Sequence, residues 1–209
     1  LVNIIPVSHS YMSLDFKIKR SLNGLSYPSH LWNPVWMSHF SKKEIEDLLM
    51  QKVNLEEIYS EAIEIWNSIE KKDEIDKSLE FFTKLYLTEN ILVKVDRSSM
   101  MNSLECRAPY LDNEVVEFAR KLPNKFKIFR NETKYILKKT AEKSLPTNII
   151  YKKKQGFSIP IGQWFKEGTI SFDKYKINRN TNLSGVNVSK IKNLIKEHKN
   201  GKADNRLSL

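Results

Sequence analysis

"LVKVDRSSMMNSLECRAPYLDNEVVEFARKLP", residues 92–123, holds the end of one helix, a forced extension and the start of another. Upstream of it Ile75, Leu79, Phe82 and Tyr86 recur at helical spacing, so a helix is expected from near Ile75 to Met101. Pro109 then disfavours helical backbone at Ala108, which forces an extended turn. Asp112 can cap the next helix, through "NEVVEFARKL", with Leu111 and Val116 as its hydrophobic staple and Pro123 beyond its end.

The same signals recur on either side. Ser13 to Leu22 suits a helix better than a strand. Ser41 followed by Glu44 is a capping box, with Phe40 and Ile45 as staple, ahead of a short amphipathic helix. A helix is expected near Leu55 to Glu70. Thr133 can cap "KYILKKTAEKSL", which stops before Pro146, and "IPIGQWFKEG" should form a short helix ending at Gly168. Residues 169–188 are polar with weak periodicity, a surface loop, and "SKIKNLIKEHKNG" is a last basic helix. Strand signals are scarce and no repeat or linker divides the chain, so the expected fold is all-α.

At 209 residues the chain is long enough to bury roughly 70% of the surface its unfolded form exposes. A single cysteine, Cys106, cannot form an internal disulfide, and a reducing, cytoplasmic setting is expected. Nowhere do more than three apolar residues follow one another, far short of the ~20 that cross a bilayer, so no membrane partner is expected. The start has no methionine and no signal-peptide pattern, and the chain reads as a piece of a larger protein.

The net charge of +10 is unevenly placed. Residues 121–154 hold eleven Lys or Arg against two acids, Glu132 and Glu142. Such a segment wants an anion: nucleic acid, a phosphate-bearing small molecule, or an acidic surface elsewhere in the protein.

No cysteine or histidine spacing fits a zinc site, since His9, His30, His39 and His198 are scattered, and no metal site is expected. Cys106 has no histidine near it in sequence and is expected to be a small core thiol. The six glycines are spread singly, so no phosphate-cradling loop is present. What remains is a dense polar group, Lys94, Asp96, Arg97, Glu105, Arg107 and Asp112, around the helix end and the extended turn. It is either a structural clamp of ion pairs or the wall of a cleft. Lys152, Lys153 and Lys154 are either a solvated run or a holder of anions.

Residues 92–123, then "TKYILKKTAEKSLPTNIIYKKKQGFSIPIGQWF", resemble the C-terminal half of the synthetase domain of glutamine-dependent asparagine synthetases. The D-R-x-S-M, E-x-R-x-P-Y-L-D and K-Q-G-F elements occur in the family's order. "SLDFKIKRSLNGL", "WMSHFSKKEIEDLL" and "HKNGKADNRLSL" are similar to flanking segments, so the likeness spans nearly the whole chain.

The resemblance implies that residues 1–209 are a mainly helical C-terminal part of a larger α/β domain of the adenine-nucleotide-hydrolase type. Such a domain adenylates the aspartate side-chain carboxylate with ATP and lets ammonia displace AMP. The implied partners are an N-terminal glutaminase domain and the ATP-binding portion with its S-G-G-x-D-S loop. Both lie outside this sequence, so ATP and magnesium would be bound mainly by them and the isolated chain should be inactive. By the same resemblance Lys154 matches the lysine that contacts the reacting phosphates. In an extended segment Lys152 shares its side and Lys153 points away. Asp96, Arg97, Glu105 and Arg107 match motif positions as phosphate- or substrate-binding candidates.

Three alternatives stay open from the sequence. A related synthetase could act on another carboxylate, and an adaptor could have lost its catalytic half. A basic helical nucleic-acid-binding module would bind with steep salt dependence. Its aromatic interleaving is modest, Phe126, Phe129 and Tyr135, and the periodicity places those rings in the core, so nucleic acid is not the expected partner.

Overall fold

The structure, a computed structural model, describes residues 14–69, 73–153, 160–170 and 185–205. It is mainly helical, and the described chain falls into two compact units, one from the segments up to Ser68 and after Phe157, the other from Ile69–Gly156. Among the described residues no helix is long and apolar enough to cross a membrane.

In the first unit α1 (Leu14–Leu25) packs on α2 (Ser29–Met37), and α2 on α5 (Ser60–Asn67). Arg20 fastens the first pair. Its Nε donates to the Trp36 carbonyl and its Nη2 to the Ser38 carbonyl, both at 2.6 Å, satisfying acceptors left open where α2 ends. Leu31, Val35 and Leu55 form the buried centre, with Tyr27, Val53, Tyr59 and Ile63 packed around it. The capping box forms as the spacing requires: the Glu44 amide donates to Ser41 Oγ, and the Ser41 amide donates to Glu44 Oε2 at 2.8 Å, opening α3 (Lys42–Leu49). The helix expected over Leu55 to Glu70 is instead two pieces, α4 (Leu55–Ile58) and α5, broken at Tyr59.

Two further helices, α12 (Ile161–Glu167) and α13 (Val188–Lys199), complete this unit. Gly168 ends α12 at φ 79°, the left-handed position that favours glycine. Asn187 caps α13 and donates its own amide to the Leu48 carbonyl at 2.7 Å, tying the start of α13 to an open acceptor of α3. His198 joins α13 to α12. It is fully buried, and its Nδ1 accepts the Asn205 amide at 3.0 Å, which puts the ring proton on Nε2, where it donates to the Gly162 carbonyl at 2.9 Å.

The second unit is built on a continuous helical run, α6 (Glu74–Phe81), a π-helical stretch (Phe82–Leu92) and α7 (Val93–Met100). Its extent is that of the single helix expected from Ile75 to Met101, but its middle widens. There the Thr88 hydroxyl donates to the Thr83 and Lys84 carbonyls and Thr83 to Leu79, competing with the backbone ladder. Asp73 caps α6 and receives the Asn124 side-chain amide at 2.6 Å.

Asp112 caps α8 (Asn113–Lys121) as expected, after a 3₁₀ turn over Pro109–Leu111. Next come α9 (Asn124–Lys127), a two-residue hairpin of β1 (Ile128–Phe129) and β2 (Glu132–Thr133), α10 (Tyr135–Ala141) and α11 (Thr147–Ile150). The hairpin corrects one expectation. Thr133 pairs with Ile128 in the ladder rather than capping α10, and Lys134, at φ 58°, takes the cap position without a side-chain bond. Arg130 and Asn131 both have positive φ, the geometry of a tight hairpin turn.

Two burial expectations also fail. Cys106 is exposed rather than a core thiol, and Phe126 and Phe129 are exposed rather than core. Their apolar periodicity is real. Tyr110, Phe118 and Ile149 of this unit also stand exposed.

Candidate functional site

The D-R-x-S-M and E-x-R segments meet at the end of α7. There the Leu104 amide donates to the Ser99 carbonyl and the Ser103 amide to the Met100 carbonyl, both at 3.0 Å, with Ser103 at φ 54°. This is the reverse turn that closes many helices, made with serine where glycine is usual. Asn102 reinforces it by donating from Nδ2 to the Ser98 carbonyl at 3.1 Å. The chain then leaves through Glu105 and Arg107, which form an ion pair with each other while remaining 67% and 89% exposed. Asp96 and Arg97 stand exposed on α7. Among the described residues no ion pair links them to Glu105 or Arg107. Two of the four candidates are thus brought together and two are not.

Lys152 and Lys153 follow α11 and are exposed. Lys154 and the Q-G-F that follows lie outside the described residues, as do residues 171–184 of the expected polar loop.

Sequence reasoning missed a network directly before the run. Tyr151 closes α11, and its hydroxyl donates to Glu142 Oε1, which also accepts from Lys139 Nζ at 2.8 Å. Lys138 Nζ stands 5.3 Å from the centre of the Tyr151 ring and bonds Glu132 Oε1 at 3.0 Å. The Lys139 and Tyr151 hydrogen bonds lower the Glu142 carboxyl below its usual value, and the bond to Glu142 raises the Tyr151 hydroxyl above its own. The available signal was the i, i+3 spacing of Lys139 and Glu142; the nine-residue reach to Tyr151 had none.

In the same unit a groove of about 530 Å³ runs among Leu79, Leu87, Leu111, Val116, Ile136 and Leu137. Glu80 lies along it, largely buried, with both carboxylate oxygens held by Arg120 Nη2 at 2.8 and 2.6 Å. Among the described residues no group of three or more His, Cys, Asp or Glu side chains is arranged to hold a metal ion.

The family model described as Asparagine synthase matches residues 13–209, and the chain belongs to that family. It is similar to a Mycobacterium tuberculosis protein provisionally named as a glutamine-hydrolysing asparagine synthetase, with 33% identity over 148 residues, 70% of this chain and 22% of that protein. It is also similar to a glutamine-hydrolysing asparagine synthetase of Bacillus subtilis, at 34% identity over 120 residues, 57% of this chain and 19% of that protein. The human asparagine synthetase is 32% identical over 106 residues, 47% of this chain and 18% of that protein. The chain spans about a fifth of the length of these relatives. No solved structure matches it.

Proposed function

We propose that residues 1–209 are the C-terminal part of the synthetase domain of a glutamine-dependent asparagine-synthetase-type ligase. A carboxylate oxygen of aspartate attacks the α-phosphorus of ATP and pyrophosphate leaves. Ammonia then attacks the activated carbonyl carbon, AMP departs and the amide forms. The observation that carries this reading is the family match across residues 13–209, with the three motifs in order.

Within that reaction the chain supplies cations. Negative charge develops on bridging and leaving oxygens as pyrophosphate departs, and a lysine ammonium is a compact charge to oppose it. Lys154 is assigned that contact, with Lys152 as a second cation of the same run. Asp96, Arg97, Glu105 and Arg107 are assigned to substrate or phosphate binding. The described residues offer exposed cations suited to phosphate oxygens but no grouped carboxylates suited to magnesium. The family resemblance assigns the metal-binding and nucleotide-cradling residues, and the glutaminase that supplies ammonia, to other parts of the protein, and no step is assigned here to the metal.

The test is pyrophosphate release from ATP and aspartate by the complete protein, comparing alanine at positions 152, 153 and 154 at fixed salt. Lys154→Ala should slow release by about two to three orders of magnitude, the range for removing one charge-stabilising donor. Lys153→Ala should do little. Equal and small effects at all three positions would make the run a solvated face and refute the assignment.

A further inference from the structure

We propose that the groove of the second unit is a binding site for a small apolar monocarboxylate of medium-chain fatty-acid type, with Lys134 as its counter-charge. None of the residues assigned to the ligase reaction lines the groove, so the site stands or falls apart from that assignment.

Shape argues for a small molecule. The groove is walled by α6, the π-helical stretch, the 3₁₀ turn, α8 and α10, and its volume of about 530 Å³ lies within the range of about 300–1,000 Å³ of small-ligand pockets. A partner protein would need a broad face, roughly 800 Å² on each side, rather than a hollow walled by several elements. The walls are not sealed from solvent. Leu79, Leu111 and Leu137 remain 44%, 37% and 41% exposed, so an apolar occupant gains by removing them from water.

Charge narrows the class. The lining carries Asp76 and Glu80 against Arg120, Lys127 and Lys134, two carboxylates against three cations. Four of these neutralise one another. Lys127 Nζ bonds Asp76 Oδ1 at 3.0 Å with both side chains largely buried, and Arg120 holds both oxygens of Glu80. Thr83 is engaged as well, its hydroxyl donating to the Leu79 carbonyl. Among the described residues Lys134 has neither a carboxylate nor a ring as partner, which leaves one open ammonium in an otherwise neutral lining. A single carboxylate on an apolar body matches it. A dianion such as a phosphate ester would find its second charge facing cations already engaged.

The experiment is calorimetric titration of the complete protein with decanoate and, in parallel, with decanol, at neutral pH and fixed salt. Decanoate should saturate with a Kd on the order of 10–100 μM, a modest efficiency for a ligand of its size. Lys134→Met keeps the apolar stem without the charge; it should weaken decanoate about tenfold, the scale of one charge-assisted hydrogen bond, and leave decanol unchanged. Ala119→Trp, at an exposed position of the groove wall on α8, should fill the hollow and abolish binding of both without lowering the thermal midpoint. A Lys134→Met protein that loses neither ligand, or loses both equally, overturns the proposal. Decanoate binding that survives Ala119→Trp puts the ligand elsewhere and overturns it too. Absence of saturable binding below about 1 mM also refutes it, whether another part of the protein fills the groove or, in a protein that sediments as a dimer, a second copy does.

Discussion

His198→Phe probes the packing of α12 on α13. The substitution keeps a ring of similar size, so it leaves no large cavity, but it removes both nitrogens. The Gly162 carbonyl then loses its donor and the Asn205 amide its acceptor. A buried polar group left unpaired costs about 1–3 kcal/mol. Gly162 is buried and belongs toward the upper end; Asn205 is half-buried and belongs toward the lower. Their sum is about 3 kcal/mol, offset only slightly by the extra apolar surface of phenylalanine. With a urea slope of about 2 kcal/mol per molar, the unfolding midpoint followed by circular dichroism should fall by about 1.5 M. His198→Gln, whose amide nitrogen can still donate to Gly162, should lose about half as much. A His198→Phe protein within about 0.3 M of the parent midpoint would refute the reasoning, since both backbone groups would then have found water or other partners.

Ser41→Ala removes the side chain that accepts the Glu44 amide and should lower stability by about 1 kcal/mol, read as a shift in the same urea transition. An undiminished midpoint would show that the start of α3 is held by its other contacts. Asp73 gives a pH test. Bonds from the Asp76 amide and the Asn124 side chain lower its folded value below the ordinary 3.8, so its contribution is complete above that value and is lost as pH falls through the lowered one. Asp73→Ala should therefore destabilise the protein at pH 7 and converge with the parent in acid; a gap independent of pH between 2 and 7 would count against the cap.

What was legible in the sequence was what is decided within a few residues. The Ser41 and Asp112 caps and the stop at Gly168 each depend on groups no more than four positions apart, and each forms as expected. Thr133 met every local requirement of a cap and failed, because the Arg130–Asn131 turn recruited it into a ladder with Ile128. Cys106 and Phe126 failed for a related reason: burial is a property of the assembled surface, and neither residue's own chemistry decides it. For the site, the motifs selected residue types but not distances. They gave Glu105 and Arg107, which pair, and equally Asp96 and Arg97, which stay apart from them. Tyr151 escaped because its partners, Lys138 on α10 and Glu142 just after it, are brought near only by the fold.

The excess of positive charge in residues 121–154 suggested an anion without saying where it would sit, and the structure divides that charge unequally. Lys121, Lys127, Lys138 and Lys139 each pair with a carboxylate. Lys125 and Arg130 lie over the rings of Phe126 and Phe129. Among the described residues, Lys134, Lys143, Lys152 and Lys153 make no such contact, and of these only Lys152 and Lys153 are adjacent. A nucleic-acid surface needs many cations free to replace counterions along a stripe. Here Lys121 and Lys139 pair within about a turn of their own helices and Lys125 and Arg130 lie over neighbouring rings. Lys127 ties α9 to α6 and Lys138 ties α10 to the hairpin, and among the described residues the cations left without such a contact are too few and too scattered to form a stripe of that kind.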